Sequence, residues 1–177
     1  FAAEGLDVQL VTFTSARDRD IAIQTGAIEG QLADLIASGL LNKDSQSVKI
    51  VKTTYRALPD VAMISLVAGP KSAIASPEQL RGARVGISHN TIIEYLTDRL
   101  IREAGLDPGL ITKEEVPQIP LRMQMLAEGQ LDAATLPEPM ATLAVKSGGR
   151  VILSDRQSLA GLSVLEFRSD FLGQQED

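Results

Sequence analysis

Glu138 stands between Pro137 and Pro139, where the apolar run Asp132 to Leu136 gives way to a helical pattern. A carboxylate beside a helix N-terminus is stabilised in its ionised form, because the unpaired N–H groups there carry partial positive charge. Facing a cleft, it would accept hydrogen bonds from an amine, an amidine or a pyrimidine amino group and disfavour a simple anion. The competing reading gives Glu138 no task beyond the helix that follows it. A second polar cluster, Ser88, His89, Asn90 and Thr91, also separates a short apolar run from a helical pattern. These hydroxyl, imidazole and amide groups can hydrogen-bond a polar ligand. Equally, Asn90 or Thr91 caps the helix and His89 is a solvated turn residue.

Both clusters owe their placing to an alternation of strand and helix punctuated by Gly and Pro, which is the pattern of an α/β sheet. Leu6 to Phe13 alternates and reads as a strand, and Ser15 caps a helix that Gly26 closes. A strand near Ile28 to Leu32, a helix from about Ala33 to Leu41, and strands over Val48 to Tyr55 and Val61 to Val67 follow. Ser76 to Gln79 is a capped helix start; Arg84 to Ile87 is a buried strand. Thr91 and Glu94 form a capping box for an amphipathic helix that Gly105 and Pro108 end.

The unit then repeats: strand Ile111 to Val116, helix Ile119 to Glu128, strand Asp132 to Leu136, helix Pro139 to Lys146 and strand Arg150 to Leu153. Four strands joined by helices predict a parallel sheet, so residues 75–156 read as one complete lobe. Residues 1–70 and 162–177 form the other, with crossings at 61–70 and 157–167 making a two-segment hinge. Phe171 to Asp177 opens a helix.

In such a sheet, ligands collect at the carboxyl ends of the strands. That rule selects Ser88 to Thr91, Pro117 to Ile119, and Pro137 with Glu138 in one lobe. In the other it selects Phe13, Thr14, Ser15, Gln31 and Asp34. Asp34 reads equally as a helix-start carboxylate. Arg122, a turn or so into its helix, is expected to pair with Glu114, Glu115 or Glu128. Glu114 and Glu115 read as a solvated strand end.

Composition narrows the function classes. A net charge of -6 with no basic stripe argues against a nucleic-acid partner. With no Cys and one His there are no disulfides and too few soft ligands for zinc, so no metal or cofactor is expected. The apolar runs fall far short of the ~20 residues of a membrane helix. Nucleophile-elbow, phosphate-loop, dinucleotide and H-E-x-x-H motifs are absent from the sequence, so no catalytic residue is assigned. Three per cent aromatic residues and no Trp disfavour an aromatic cage for a quaternary amine.

VPQIPLRMQMLAEGQLDAATLPEPMATLA, from Val116 to Ala144, closely resembles the substrate-binding proteins of ABC importers, in the NMT1/THI5-like and SsuA-like branch that includes nitrate, sulfonate, taurine and thiamine-pyrimidine binders. The likeness extends through FAAEGLDVQLV, TGAIEGQLADLIA, VKIVKTTYRA and VGISHNTIIEYLTDRLIREAGL. It implies a type 2 periplasmic-binding-protein fold: two α/β lobes, mainly parallel sheets, and a ligand between the lobes. One lobe is expected to be incomplete, because the family's first strand has no counterpart before Phe1. The resemblance implies reversible capture of a small polar ligand, delivery to a membrane permease, and a periplasmic or lipid-anchored extracytoplasmic location. It also implies that the loops carrying Ser88 to Thr91 and Asp34 face that ligand. Two rivals share the scaffold: a cytoplasmic enzyme like the menaquinone-pathway lyases, and the effector domain of a transcriptional regulator. The Cys and His residues used by the superfamily's pyrimidine synthases are missing.

Overall fold

A computed structural model describes residues 2–5, 7–55, 61–156 and 163–174 of the 177-residue chain. Eight strands divide between a three-stranded and a five-stranded sheet among these residues.

In the larger sheet, β4 (Arg84–Ile87) lies between β5 (Thr112–Glu115) and β6 (Ala133–Pro137), parallel to both. Helix α3 (Ile92–Glu103) follows β4, α4 (Ile119–Glu128) follows β5, and α5 (Met140–Lys146) follows β6. Gly129 ends α4 in the left-handed conformation at φ 79°, the geometry that suits a glycine C-cap.

The sheet departs from the all-parallel expectation at β3 (Ile64–Ala68), which inserts antiparallel between β6 and β7 (Arg150–Ser154). The segment expected to cross between lobes is therefore an interior strand of the second lobe. All five of its residues are buried, as a strand covered on both faces requires. Leu66 and Ala68 enter one core layer with Val85, Ile87, Leu96 and Ile101, on the α3 side. Val67 enters the other with Leu126, Leu131 and Leu136, beneath α4 and α5. Each large side chain buried this way contributes roughly 1.5–3 kcal/mol.

The smaller sheet has the order β1 (Gly30–Asp34), β8 (Ser163–Arg168), β2 (Val48–Tyr55), with β8 antiparallel to both neighbours. Two small apolar clusters, Ile23 with Leu41 and Val48, and Ala33 with Ala37 and Val164, join it to α1 (Ala16–Gln24) and α2 (Leu35–Leu41). A short α6 (Ser169–Gly173) follows β8. Ile36 of α2 packs against the core of the five-stranded lobe, so the lobes are in contact. The returning crossing expected over 157–167 falls at 157–162 outside the described residues; its remainder begins β8.

Residues 7–13 form no strand, although their pattern alternates. A strand is defined by a neighbour that receives its N–H and C=O groups, and this segment pairs with no strand among the described residues. Leu10 is 81 % exposed. Ser76 to Gln79 does build its capping box, but the helix it starts is one 3-10 turn, Pro77–Leu80.

Candidate functional site

The carboxyl ends of β4, β5 and β6 share one edge of the larger sheet, and three helices begin there with their N–H groups facing the same way. On this edge Thr91 caps α3 by accepting from the Ile93 N–H at 3.2 Å, while its Oγ1 donates to the Ser88 carbonyl at 2.7 Å. Ser88 and Thr91 are buried. Asn90 takes the left-handed conformation at φ 58°, which Asn tolerates better than most residues.

Two carboxylates hold this turn. Glu115, at the end of β5, accepts from the His89 backbone N–H at 2.7 Å. Glu94 accepts from the Asn90 N–H and pairs with His89 Nδ1, both at 2.9 Å, and receives Lys113 Nζ at 3.2 Å. The expected capping box is thus displaced by one residue, because Glu94 reaches the N–H of Asn90 and not that of Thr91. Burial works against ionisation of Glu94, but the donors from Asn90, His89 and Lys113 outweigh it and hold the carboxyl down at about 2.

On the facing lobe, Ser15 starts α1 by accepting from the Asp18 N–H at 3.1 Å and donating to Asp18 Oδ2 at 2.8 Å. The helix so begun carries Arg17 and Asp20 three residues apart, on neighbouring positions of one face. Arg19 donates from Nε and Nη2 to Asp20 Oδ1 at 3.0 and 2.8 Å, and from Nη1 to the Leu32 carbonyl at 3.1 Å. Asp34 caps α2, accepting from the Ile36 and Ala37 N–H groups at 3.0 Å each. Burial pushes its carboxyl up, against the lowering pull of the Ala37 N–H and of Arg19. Its helix-start role is therefore visible directly. Gln31 is buried and turned inward, donating to Glu166 and, more weakly, to Asp20.

Between these surfaces lies a hollow of about 310 Å³ whose polar lining comes from both lobes: Arg17, Asp20 and Gln24 on one side, His89, Asn90, Thr91 and Glu115 on the other. Of the residues selected from sequence, His89, Asn90 and Thr91 therefore meet in it. Phe13, Thr14, Ser15, Gln31, Asp34, Ser88, Pro117, Gln118, Ile119, Pro137 and Glu138 do not line it. Thr14 nonetheless bridges the lobes, its carbonyl accepting from the Ile119 N–H at the start of α4 at 3.3 Å. Arg17, Asp20, Gln24 and Glu115 escaped the sequence reading. Arg17 and Asp20 lie beyond the first loop residues to which the strand-end rule points, and Glu115 read as a solvated strand end. It is exposed, yet it anchors the His89 turn.

Glu138 occupies the same sheet edge, exposed, with its N–H donating to the Met63 carbonyl at 2.8 Å. Its Oε2 accepts from the Thr142 N–H at 3.2 Å, in the first turn of α5. Pro139 precedes the helix, which starts at Met140 and not at the proline. The Glu138–Pro139 peptide bond is cis.

Arg122 is not the ion-paired residue expected. It is wholly buried, donating from Nε to the Val116 carbonyl and from Nη1 to the Thr135 carbonyl, each at 2.8 Å, while Nη2 has no partner among the described residues. Burial pulls the guanidinium down to about 10, against a raising influence from Glu115. The reason is steric access. Gly86 of β4 leaves a groove for the Arg122 stem, and a Cβ there would stand 3.0 Å from Arg122 Cγ and 2.6 Å from Leu131 Cδ1. No group of His, Asp and Glu able to hold a metal ion occurs among the described residues.

Comparison with solved structures finds this fold repeatedly. The alkanesulfonate-binding protein SsuA from Xanthomonas axonopodis pv. citri, bound to MOPS, superposes with a TM-score of 0.78 at 18% identity, over 93% of this chain and 56% of that one. The ligand-binding component of an ABC-type import system from Staphylococcus aureus, with zinc bound, gives 0.78 at 19% identity, over 96% and 58%. An ancestral arginine-binding protein bound to arginine gives 0.69 at 17% identity, over 99% and 73%. The chain spans less than two thirds of the length of the first two. No curated protein sequence matches it. The family profile described as NMT1/THI5 like matches residues 1–165; with two α/β lobes of the type 2 periplasmic-binding-protein architecture around a shared hollow, the chain belongs to the NMT1/THI5-like family.

Proposed function

We propose that this chain belongs to the ligand-capture subunit of an ABC importer, taking a small polar, amine-bearing or pyrimidine-like molecule between its lobes and presenting it to a membrane permease outside the cytoplasm. The observation that carries the reading is the hollow lined from both lobes. A two-sided site gains contacts when the lobes approach, so ligand favours the closed state by its differential affinity. That serves capture and release and requires no covalent step.

The charges favour a donor-bearing ligand over a simple anion. Asp20 and Glu115 line the hollow, and Glu138 stands on the same sheet edge as Glu115. Carboxylates attract ammonium, amidinium and amino donors and repel a sulfonate or nitrate. Arg17 offers one cationic point for an acceptor group on the same molecule. Among the similar folds, one is an ancestral arginine-binding protein bound to arginine and another an alkanesulfonate-binding protein.

Titration calorimetry of the protein with L-arginine, 4-aminopyrimidine and an alkanesulfonate, paired with small-angle scattering, tests the proposal. Heat with an amine-bearing probe, together with a smaller radius of gyration, is the expected result. Binding of the sulfonate alone overturns the ligand class; binding without compaction overturns closure.

A further inference from the structure

Asp155 follows β7 at the point where the chain leaves the five-stranded lobe, and it is wholly buried. Its Oδ1 accepts from two backbone N–H groups, Met63 at 2.9 Å and Ile64 at 3.1 Å, and Oδ2 has no partner among the described residues. The Asp155 N–H donates in turn to the Ile64 carbonyl at 3.1 Å. The carboxylate therefore ties the entry of β3 to the exit of β7, the two places where chain passes into and out of this lobe.

A buried carboxylate with one oxygen unused is costly to keep. Burial accordingly pushes its carboxyl up, against the N–H groups of Ile64 and Met63. The connection that gives it a task is the Met63 peptide. Met63 donates its N–H to Asp155, and its carbonyl accepts from the Glu138 N–H at 2.8 Å. One residue thus joins the strand entry to the loop that carries Glu138, on the sheet edge it shares with Glu115.

We infer that Asp155 is a positioning residue for the cleft: through Met63 it fixes the start of β3 against the Glu138 loop, so that movement at the chain crossings reaches the ligand side of the lobe. This assignment to the cleft rests on the proposed role of Glu138, but the mechanical link does not, and its test reads the link without ligand.

Native-state amide hydrogen exchange supplies that test. In the unaltered protein under rising denaturant, the Met63, Ile64 and Glu138 amides are expected to open as one unit; a separate opening for Glu138 overturns the link. Loss of one hydrogen-bond acceptor corresponds to about tenfold faster exchange. Asp155→Ala is therefore expected to accelerate all three amides by about that factor and leave the β4 and β5 amides unchanged. Asp155→Asn keeps an Oδ1 acceptor and is expected to restore slow exchange at Glu138. Acceleration of Met63 and Ile64 alone reduces Asp155 to a local staple and overturns the inference. Sulfonate-selective calorimetry with the three amides still opening together would overturn the ligand reading and leave this link standing.

Discussion

Gln31 Nε2 donates to Glu166 Oε1 at 2.7 Å, joining two buried residues 135 positions apart in the chain. Ser38 Oγ donates to the other oxygen of the same carboxylate. Glu166 sits on β8, the middle strand of the smaller sheet, so this cluster ties the last strand to β1 and α2. Removing the carboxylate takes the better acceptor from two buried donors, leaving Gln31 the Asp20 carboxylate at 3.3 Å and Ser38 the Asp34 carbonyl at 3.1 Å. Glu166→Ala is expected to cost about 1.5–3 kcal/mol, the range for hydrogen bonds to a charged group. Urea denaturation should show a lower midpoint with an unchanged slope.

Glu138→Gln separates the two roles open to that residue. As a cap for α5 its charge contributes about 0.3–1 kcal/mol, whereas one partner of a desolvated charged hydrogen bond to ligand is about 2–5 kcal/mol. The expected outcome is binding of an amine-bearing probe weakened well over tenfold while the melting temperature barely moves. Near-unchanged affinity with a lowered melting temperature would confine Glu138 to the Thr142 N–H contact and leave recognition to His89, Asn90 and Thr91.

Glu94 sets an acid limit on the His89 turn. Its folded-state pKa is about 2, depressed from the ordinary glutamate range. Its contribution to stability is therefore fully present above the unfolded-state value and is lost as pH falls from that value through about 2. Glu94→Gln should flatten this part of the acid-unfolding curve and lower stability by a constant amount at neutral pH and above. An unchanged acid limb would show that other carboxylates govern it.

Local elements were legible because their signals are local. Ser15 and Thr91 cap the helices they were expected to cap, and α4 has the expected bounds, Ile119–Glu128. The placing of β3 was not legible. A fully apolar run such as Ile64–Ala68 announces burial on both faces, but the direction of its neighbours depends on residues about seventy positions away. Residues 7–13 fail in the opposite sense, with the right alternation and no partner strand among the described residues. In the site, the strand-end rule found the His89 turn through its helix cap, yet it missed Arg17 and Asp20, which project from the first turns of α1. Arg122 was misread because an arginine on a helix is ordinarily at the surface; only the open face at Gly86 admits it.

Asn90 offers a direct test of the turn geometry. At φ 58° a β-branched side chain clashes with its own backbone, at a cost of about 1–2 kcal/mol. Asn90→Val should lower stability by about that amount, whereas Asn90→Gly should be tolerated because glycine adopts this conformation freely. Equal denaturation midpoints for the two variants would show that the turn does not require the left-handed residue.

Arg122 and Gly86 give the last prediction, because the buried stem and its groove must fail together. Arg122→Lys keeps a cation but replaces a planar fork that reaches two carbonyls with a single ammonium. One of the 2.8 Å bonds, to Val116 or to Thr135, is then lost, and the expected cost is about 1–3 kcal/mol for the polar group left unpaired. Gly86→Ala drives a methyl group against Arg122 Cγ and Leu131 Cδ1 and is expected to cost about 1–3 kcal/mol by overpacking. Two independent sites would give additive losses, whereas side chains in contact would not. The double variant Gly86→Ala with Arg122→Lys is expected to lose less than the sum of the single variants, because removing the guanidinium frees the stem to shift away from the new methyl group. Strict additivity in chemical denaturation would show that the groove at Gly86 serves Leu131 and not the arginine.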